Sequence, residues 1–182
     1  MNEDQLMIEQ LKTGSQTAFS RLINDHQNYV YSICYGILKD GFEAEEATQD
    51  TFLKFYRAAS KIDLKVKMRT FLYKIAYRTS LDYIRKRKRV ETLEHAQYKN
   101  NNEETADNVL QEDDQKRYLR EAMSELKPDE SALVTMFYFK DLSIKEIAEI
   151  TGMSLSNIKI KLMRSRTKLA KIIDSRYQFI KQ

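Results

Sequence analysis

Leu142-Ser143-Ile144-Lys145-Glu146-Ile147-Ala148-Glu149-Ile150-Thr151-Gly152-Met153-Ser154-Leu155-Ser156-Asn157-Ile158-Lys159 decides how this chain is read. Ser143 and Glu146 stand three apart, the spacing of a capping box that starts a helix sharply. Ala148 is small where two helices must approach. Gly152, four residues on, suits the left-handed backbone of a tight turn. Ser154 is placed to cap a second helix, and Ile158 and Leu162 to pack it back on the first. The segment has the build of a helix-turn-helix. Its second helix carries Lys159, Lys161, Arg164, Arg166 and Lys168. A helix fits the major groove, where Lys and Arg reach guanine edges and flanking charges hold phosphates. The plainer reading is an ordinary helical hairpin with a solvated basic face. The coincidence of caps, turn and cations favours duplex DNA, without saying which process is served.

Charge supports this once it is resolved along the chain. The net charge of +4 hides three blocks. Residues 61–90 hold eleven Lys/Arg against two acids, residues 91–115 one Lys against eight acids, and residues 153–182 eight Lys/Arg against one acid. Two basic blocks attract phosphate backbones, and an acidic one separates them. Only four Gly and one Pro occur among 182 residues, which removes the punctuation of hairpins and sandwiches. With abundant Lys, Glu, Leu and Ile, that points to an all-α chain. The single cysteine, Cys34, excludes an internal disulfide and sits in an apolar run. It reads as a small buried hydrophobe in a reducing cytosol. No apolar run of about 18 residues occurs, so no membrane span or insertion is expected. The polar, acidic N-terminus is unlike a secretory signal.

Periodicity divides the chain. A short helix is expected over 2–12, ending near Gly14, and a long one from the Ser15 cap to the Asp40-Gly41 break. Others are expected at 43–60 and 68–89. Between 91 and 111 the pattern fails, and few apolar residues are present to bury. Helices resume near Asp113, with Pro128 separating two of them. The expected fold is all-α: two small helical domains, 1–90 and 113–182, joined by a flexible acidic linker over 91–112, the second containing the helix-turn-helix.

The first basic block interleaves cations with rings: Arg69, Phe71, Tyr73, Lys74, Tyr77, Arg78 and Tyr83, then the run 85–89. Rings stack unpaired bases while cations track the strand, so the block suits DNA that must be opened. Phe71, Leu72 and Ile75 read better as core, and the run 85–89 as a phosphate contact. Upstream, Glu43, Glu45, Glu46 and Asp50 come without a base. They read as a solvated helix start favoured by the dipole, as metal ligands, or as a docking face. Composition favours the first, and no His or Cys accompanies them. His26 and His95 are isolated and read as surface or packing residues. No cofactor or metal and no catalytic residue is expected. Two rival functions are a repressor or activator that binds duplex DNA without a polymerase, and a metal-dependent nuclease using Glu45, Glu46 and Asp50.

Three motifs in register then resemble one family, the ECF sigma factors of bacterial RNA polymerase. Residues 43–56, Glu-Ala-Glu-Glu-Ala-Thr-Gln-Asp-Thr-Phe-Leu-Lys-Phe-Tyr, resemble its region 2.2. Thr70-Phe71-Leu72-Tyr73-Lys74-Ile75-Ala76, followed by Arg78-Thr79, resembles region 2.4. The helix-turn-helix with Ile158-Lys159 and Arg164-Ser165-Arg166 resembles region 4.2. The likeness spans about residues 15–90 and 115–175.

It implies a sigma factor that directs promoter recognition and transcription initiation, with strand opening at the −10 element. Glu46, Gln49, Asp50, Phe52 and Leu53 would then dock on the clamp helices of the largest polymerase subunit, overturning the preference from composition. Lys67, Arg69, Lys74, Tyr77, Arg78 and Arg85 would meet the −10 DNA. Lys159, Ile160, Met163 and Arg164 would lie near −35 bases, with Ser156, Asn157, Lys161 and Arg166 near phosphates. The linker would thread the polymerase's RNA exit path. The implied partners are core polymerase, promoter DNA and an anti-sigma factor, with no small-molecule substrate. Three positions depart from the family's usual pattern. The loop Lys61-Ile62-Asp63-Leu64-Lys65-Val66-Lys67 is more basic and lacks Gly. Arg78 stands where Asn is frequent, and Phe71 where Trp is common.

Overall fold

Capping side chains set where the helices begin. A computed structural model describes residues 3–61, 67–94 and 114–180. The regular structure among them is helical: α1 (Glu3–Lys12), α2 (Gln16–Leu38), α3 (Gly41–Ala58), α4 (Met68–Glu94), α5 (Asp114–Ser124), α6 (Pro128–Val134), α7 (Ile144–Thr151) and α8 (Leu155–Ile180). Ser15 Oγ accepts the Ala18 N–H at 3.2 Å and starts α2. The break after α2 is made by Lys39, in the left-handed region at φ 60°, rather than by Gly41. Asp40 then accepts the Glu43 N–H at 2.7 Å, so α3 starts two residues earlier than its apolar pattern suggested. Pro128 takes the first turn of α6, where its missing N–H has no helical partner to lose. The helix expected after Pro128 divides, with Thr135–Phe139 forming a π-turn after α6. Helix α4 continues to Glu94, past the expected start of the linker. The remainder of that linker to 112, residues 62–66 of the atypical loop, and His95 lie outside the described residues.

The N-terminal half packs α2, α3 and α4 around Leu22, Val30, Ile33, Ile37, Ala47, Phe55 and Leu72, all essentially without exposure. Cys34 is buried there beside Thr48, Thr51 and Ser80, and burial raises its thiol pKa. Asp4 of α1 accepts the Met68 N–H at 3.1 Å and satisfies an open donor at the start of α4. In the C-terminal half Leu133, Met136, Ile147, Ile150 and Ile158 are the fully buried anchors. The two halves do not stand apart. Helix α6 lies on α2, α7 lies on α4, and the buried side chains form one continuous cluster.

Gly36 marks the close approach. It sits inside α2, where glycine costs about 0.5–1 kcal/mol relative to alanine. A Cβ there would lie 3.1 Å from Thr135 Oγ1 and 3.6 Å from Ser131 Oγ, both on the opposite half. The missing side chain is the notch that lets α6 and its π-turn settle on α2.

Candidate nucleic-acid interface

The helix-turn-helix forms as its caps require. Ser143 Oγ accepts the Glu146 N–H at 3.2 Å, and Glu146 Oε2 accepts the Ser143 N–H at 3.0 Å. Gly152 turns the chain at φ 75°, and its N–H donates to the Ala148 carbonyl at 2.8 Å. Ser154 Oγ accepts the Asn157 N–H at 3.3 Å, starting α8. One face of α8 is then spent on packing, with Ile158, Leu162 and Ser165 buried. The opposite face presents Ser156, Asn157, Lys159, Ile160, Met163, Arg164 and Arg166 to solvent. Ile160 and Met163 are 44% and 57% exposed, large apolar side chains among cations. Lys161 is placed differently from its neighbours. It is half-buried, and its ammonium donates to Asp129 of α6, steadying α8 within its own half. Lys168 likewise donates to the Glu125 carbonyl.

The face expected to meet opened DNA is in another condition. Arg69 Nη2 and Lys67 Nζ both donate to Glu146 Oε1, at 2.6 and 3.1 Å. Glu146 is thus shared between the cap of α7 and the start of α4. The Arg69 guanidinium, the Ser143 N–H and hydroxyl, and Lys67 together hold its carboxyl well down, to about 2. Tyr77 is only 5% exposed, and burial raises its hydroxyl pKa, with the Asp129 carboxylate adding to the effect. Tyr73 is buried against Tyr29, their rings 6.2 Å apart and nearly parallel, and near His26 at 3.5 Å. Lys74 is half-buried, whereas Arg78 and Arg85 are exposed. Arg85 pairs with Asp82 at 3.0 Å on the surface of α4. The run 85–89 was expected to form a phosphate contact. Arg87 departs from that, because its guanidinium is clamped between Glu43 and the Leu38 carbonyl, fastening α4 to the start of α3.

On α3, Glu46, Gln49 and Leu53 are exposed and Asp50 is half-buried, accepting the Tyr83 hydroxyl at 3.0 Å. Burial and then Asp50 push that hydroxyl up to about 12. Phe52 is a correction to the expected docking face. It is 3% exposed and belongs to the core, one helical turn from Thr48 and Phe55. Phe42, 68% exposed, was missed. It lies just after the Asp40 cap, outside the apolar stripe, and only its surplus to that stripe could have singled it out.

Comparison with known proteins decides the identity. The family model for sigma-70 region 2 matches residues 22–90, and that for sigma-70 region 4 matches residues 116–169. The chain is 30% identical to the RNA polymerase sigma factor YlaC of Bacillus subtilis, over 70% of this chain and 76% of that protein. The chain belongs to the ECF sigma factor family. It is also 28% identical to the ECF RNA polymerase sigma factor SigW of B. subtilis, over 90% of this chain and 93% of that one. Among solved structures, its fold is similar to that of the sigma factor RpoE crystallised with the anti-sigma factor NepR from Bartonella quintana. That likeness has a TM-score of 0.70 at 16% identity, over 86% of this chain and 96% of that one. CnrH, solved with the cytosolic domain of CnrY, matches with a TM-score of 0.67 at 19% identity, over 96% of this chain and 99% of that one. This ECF sigma factor thus carries region 2 on α2–α4 and region 4 on α5–α8, and the helix-turn-helix lies inside the second match.

Proposed function

We propose that this ECF sigma factor performs promoter recognition and transcription initiation by a division of labour between its two basic faces. Sigma factors are DNA-recognition subunits rather than catalysts, and here nucleotide chemistry is left entirely to the polymerase, in the cytoplasm. The observation that carries the reading is the solvent-facing side of α8, where Lys159, Ile160, Met163 and Arg164 stand together behind an intact capping box and turn. These four take the −35 bases in the major groove. Ser156, Asn157 and Arg166 hold flanking phosphates, while Lys161 serves through Asp129 by fixing the pitch of the helix. Lys67, Arg69, Lys74, Tyr77, Arg78 and Arg85 attend the −10 strand. Each stacked base contributes about 1–3 kcal/mol, comparable to the unstacking it offsets, so opening needs several contacts plus the polymerase.

Glu46, Gln49, Asp50 and Leu53, with Phe42, form the surface for the clamp helices of core polymerase. An anti-sigma factor is the third partner, since the similar folds of RpoE and CnrH were both solved bound to a second protein. No helix among the described residues is long and apolar enough to cross a membrane.

Run-off transcription with purified core polymerase over a promoter library tests the whole reading. Promoter-specific transcripts that require the chain are expected. Tight specific duplex binding by the chain alone, with no transcript in the presence of core polymerase, would replace it with a repressor or activator.

A further inference from the structure

We infer that the cavity walled by α2, α5 and the π-turn after α6 is a binding site for a small aromatic carboxylate, whose charge is received by Lys39 and Lys140. The inference does not depend on the promoter reading. The cavity has a volume of about 340 Å³, within the range of about 300–1,000 Å³ that small-molecule sites occupy. Tyr31, Tyr35, Leu119, Met123 and Phe139 give it largely apolar walls. The rings of Tyr31 and Tyr35 lie 5.9 Å apart and 17° from parallel. Phe139 is 48% exposed. Flat walls favour a flat guest, because offset rings attract one another beyond the area that they bury. Thr135 and Phe139, at the two ends of the π-turn, both line the cavity. Single turns of this kind are frequent at functional sites.

Charge decides the class of guest. Lys39, Arg120 and Lys140 line the cavity, and no carboxylate among the described residues does. Lys39 Nζ donates to the Met123 carbonyl at 2.8 Å and to Ser131 Oγ at 2.6 Å, both neutral acceptors. An ammonium has three donors, so these two leave one over. Burial lowers the Lys39 pKa to about 8, and no acid offsets it. Lys140 is lowered by burial alone in the same way. Its ammonium lies 4.2 Å above the Tyr29 ring rather than beside an acid. Half-buried cations are costly unless they are paired. A carboxylate in the cavity supplies that pairing through a charge-assisted hydrogen bond to Lys39, with Lys140 adding attraction. The ring body of the guest then lies along Tyr31, Tyr35 and Phe139. An uncharged ring of the same shape fills the walls and leaves the ammoniums as they are.

Naphthoate is the probe, and uncharged naphthamide is its control. Isothermal titration into the full-length chain should show one naphthoate site with a Kd below about 1 mM, and naphthamide at least about ten-fold weaker. Lys39→Gln keeps a donor for Met123 and Ser131 but removes the charge. It should weaken naphthoate at least about ten-fold and leave naphthamide unchanged. Ser32→Phe, at a half-buried position on the α2 wall, should abolish binding of both. Circular dichroism checks that each variant is folded. Should Lys39→Gln not fold, Lys140→Gln and Ser32→Phe carry the test, the first weakening naphthoate by a smaller factor and the second removing it.

Absence of binding at about 5 mM naphthoate would overturn the site. Equal affinity for the acid and the amide would overturn the role of the two ammoniums, and binding that survives Ser32→Phe would overturn the location. The chain has carboxylates of its own in the acidic stretch 91–112, among them Glu103, Glu104 and Asp107. A Glu103→Gln, Glu104→Gln, Asp107→Asn variant should bind naphthoate with unchanged Kd. Tighter binding by that variant would show that this stretch competes for the cavity, and would overturn the small-molecule assignment.

Discussion

The two basic blocks carry similar charge, but the fold spends more of the first than of the second on internal pairing. Residues 61–90 bear a net +9 and residues 153–182 a net +7. In the first block Lys67 and Arg69 answer to Glu146, Arg85 to Asp82 and Arg87 to Glu43. In the second, Lys161 answers to Asp129, whereas Lys159, Arg164 and Arg166 stand exposed without an ion-pair partner among the described residues. A cation count therefore measures attraction to phosphate only after internal acids have taken their share. The difference follows from position. Helix α8 spends one face on its own half and leaves the other to solvent, whereas α4 lies between α3 and α7.

That contrast is open to attack, and the heaviest blow is to the shared core. Leu133→Ala should cost about 2–5 kcal/mol, as for a fully buried leucine. Because one cluster joins the halves, urea unfolding should stay a single transition shifted to lower midpoint. A half that melts separately at the wild-type midpoint would show the clusters to be independent. Next in size, Arg164→Ala should weaken binding at a cognate −35 element by about 1–3 kcal/mol and relax base preference there. Unchanged affinity of the holoenzyme would remove Arg164 from the recognition set. Ser143→Ala, which deletes the cap of α7, should cost about 1 kcal/mol of stability.

Acid offers a finer probe of the covered face. Glu146 has its pKa depressed from 4.5 to about 2, so its contribution to stability is full above about pH 4.5. That contribution fades as pH falls toward 2, because protonation removes the pairing with Arg69. The stability gap between wild type and Glu146→Gln, where glutamine still serves the capping box, should therefore shrink between pH 5 and 2.5. A gap that is constant over this window in urea titrations would mean that the ion pair is not what Glu146 supplies. The smallest effect belongs to Arg85→Ala, whose exposed pair with Asp82 is worth about 0.2–1 kcal/mol at most. Its consequence should show instead as a shallower salt dependence of promoter binding.

How much of this was legible follows from the range of the forces involved. Caps, turns and helical period act over three or four residues. Ser15, Pro128, the Ser143–Glu146 box and Gly152 were therefore readable in order, and with them the all-helical class and the outward side of α8. Register against a neighbour acts over tens of residues and leaves no local mark. Phe52 was assigned to the docking surface by the resemblance alone, and the structure places it in the core. Arg87 looked like one more phosphate ligand until Glu43 claimed it.

The sequence by itself determined the family, the elements and the recognition helix, because each is written in residues close along the chain. Only the tertiary structure decided that α7 covers α4, that Glu146 serves a cap and two cations at once, and that Gly36 is a notch. Those facts require residues 77 to 99 positions apart to meet, between Arg69 and Glu146 and between Gly36 and Thr135. Such meetings are set by the packing of whole faces, which no short stretch of sequence records.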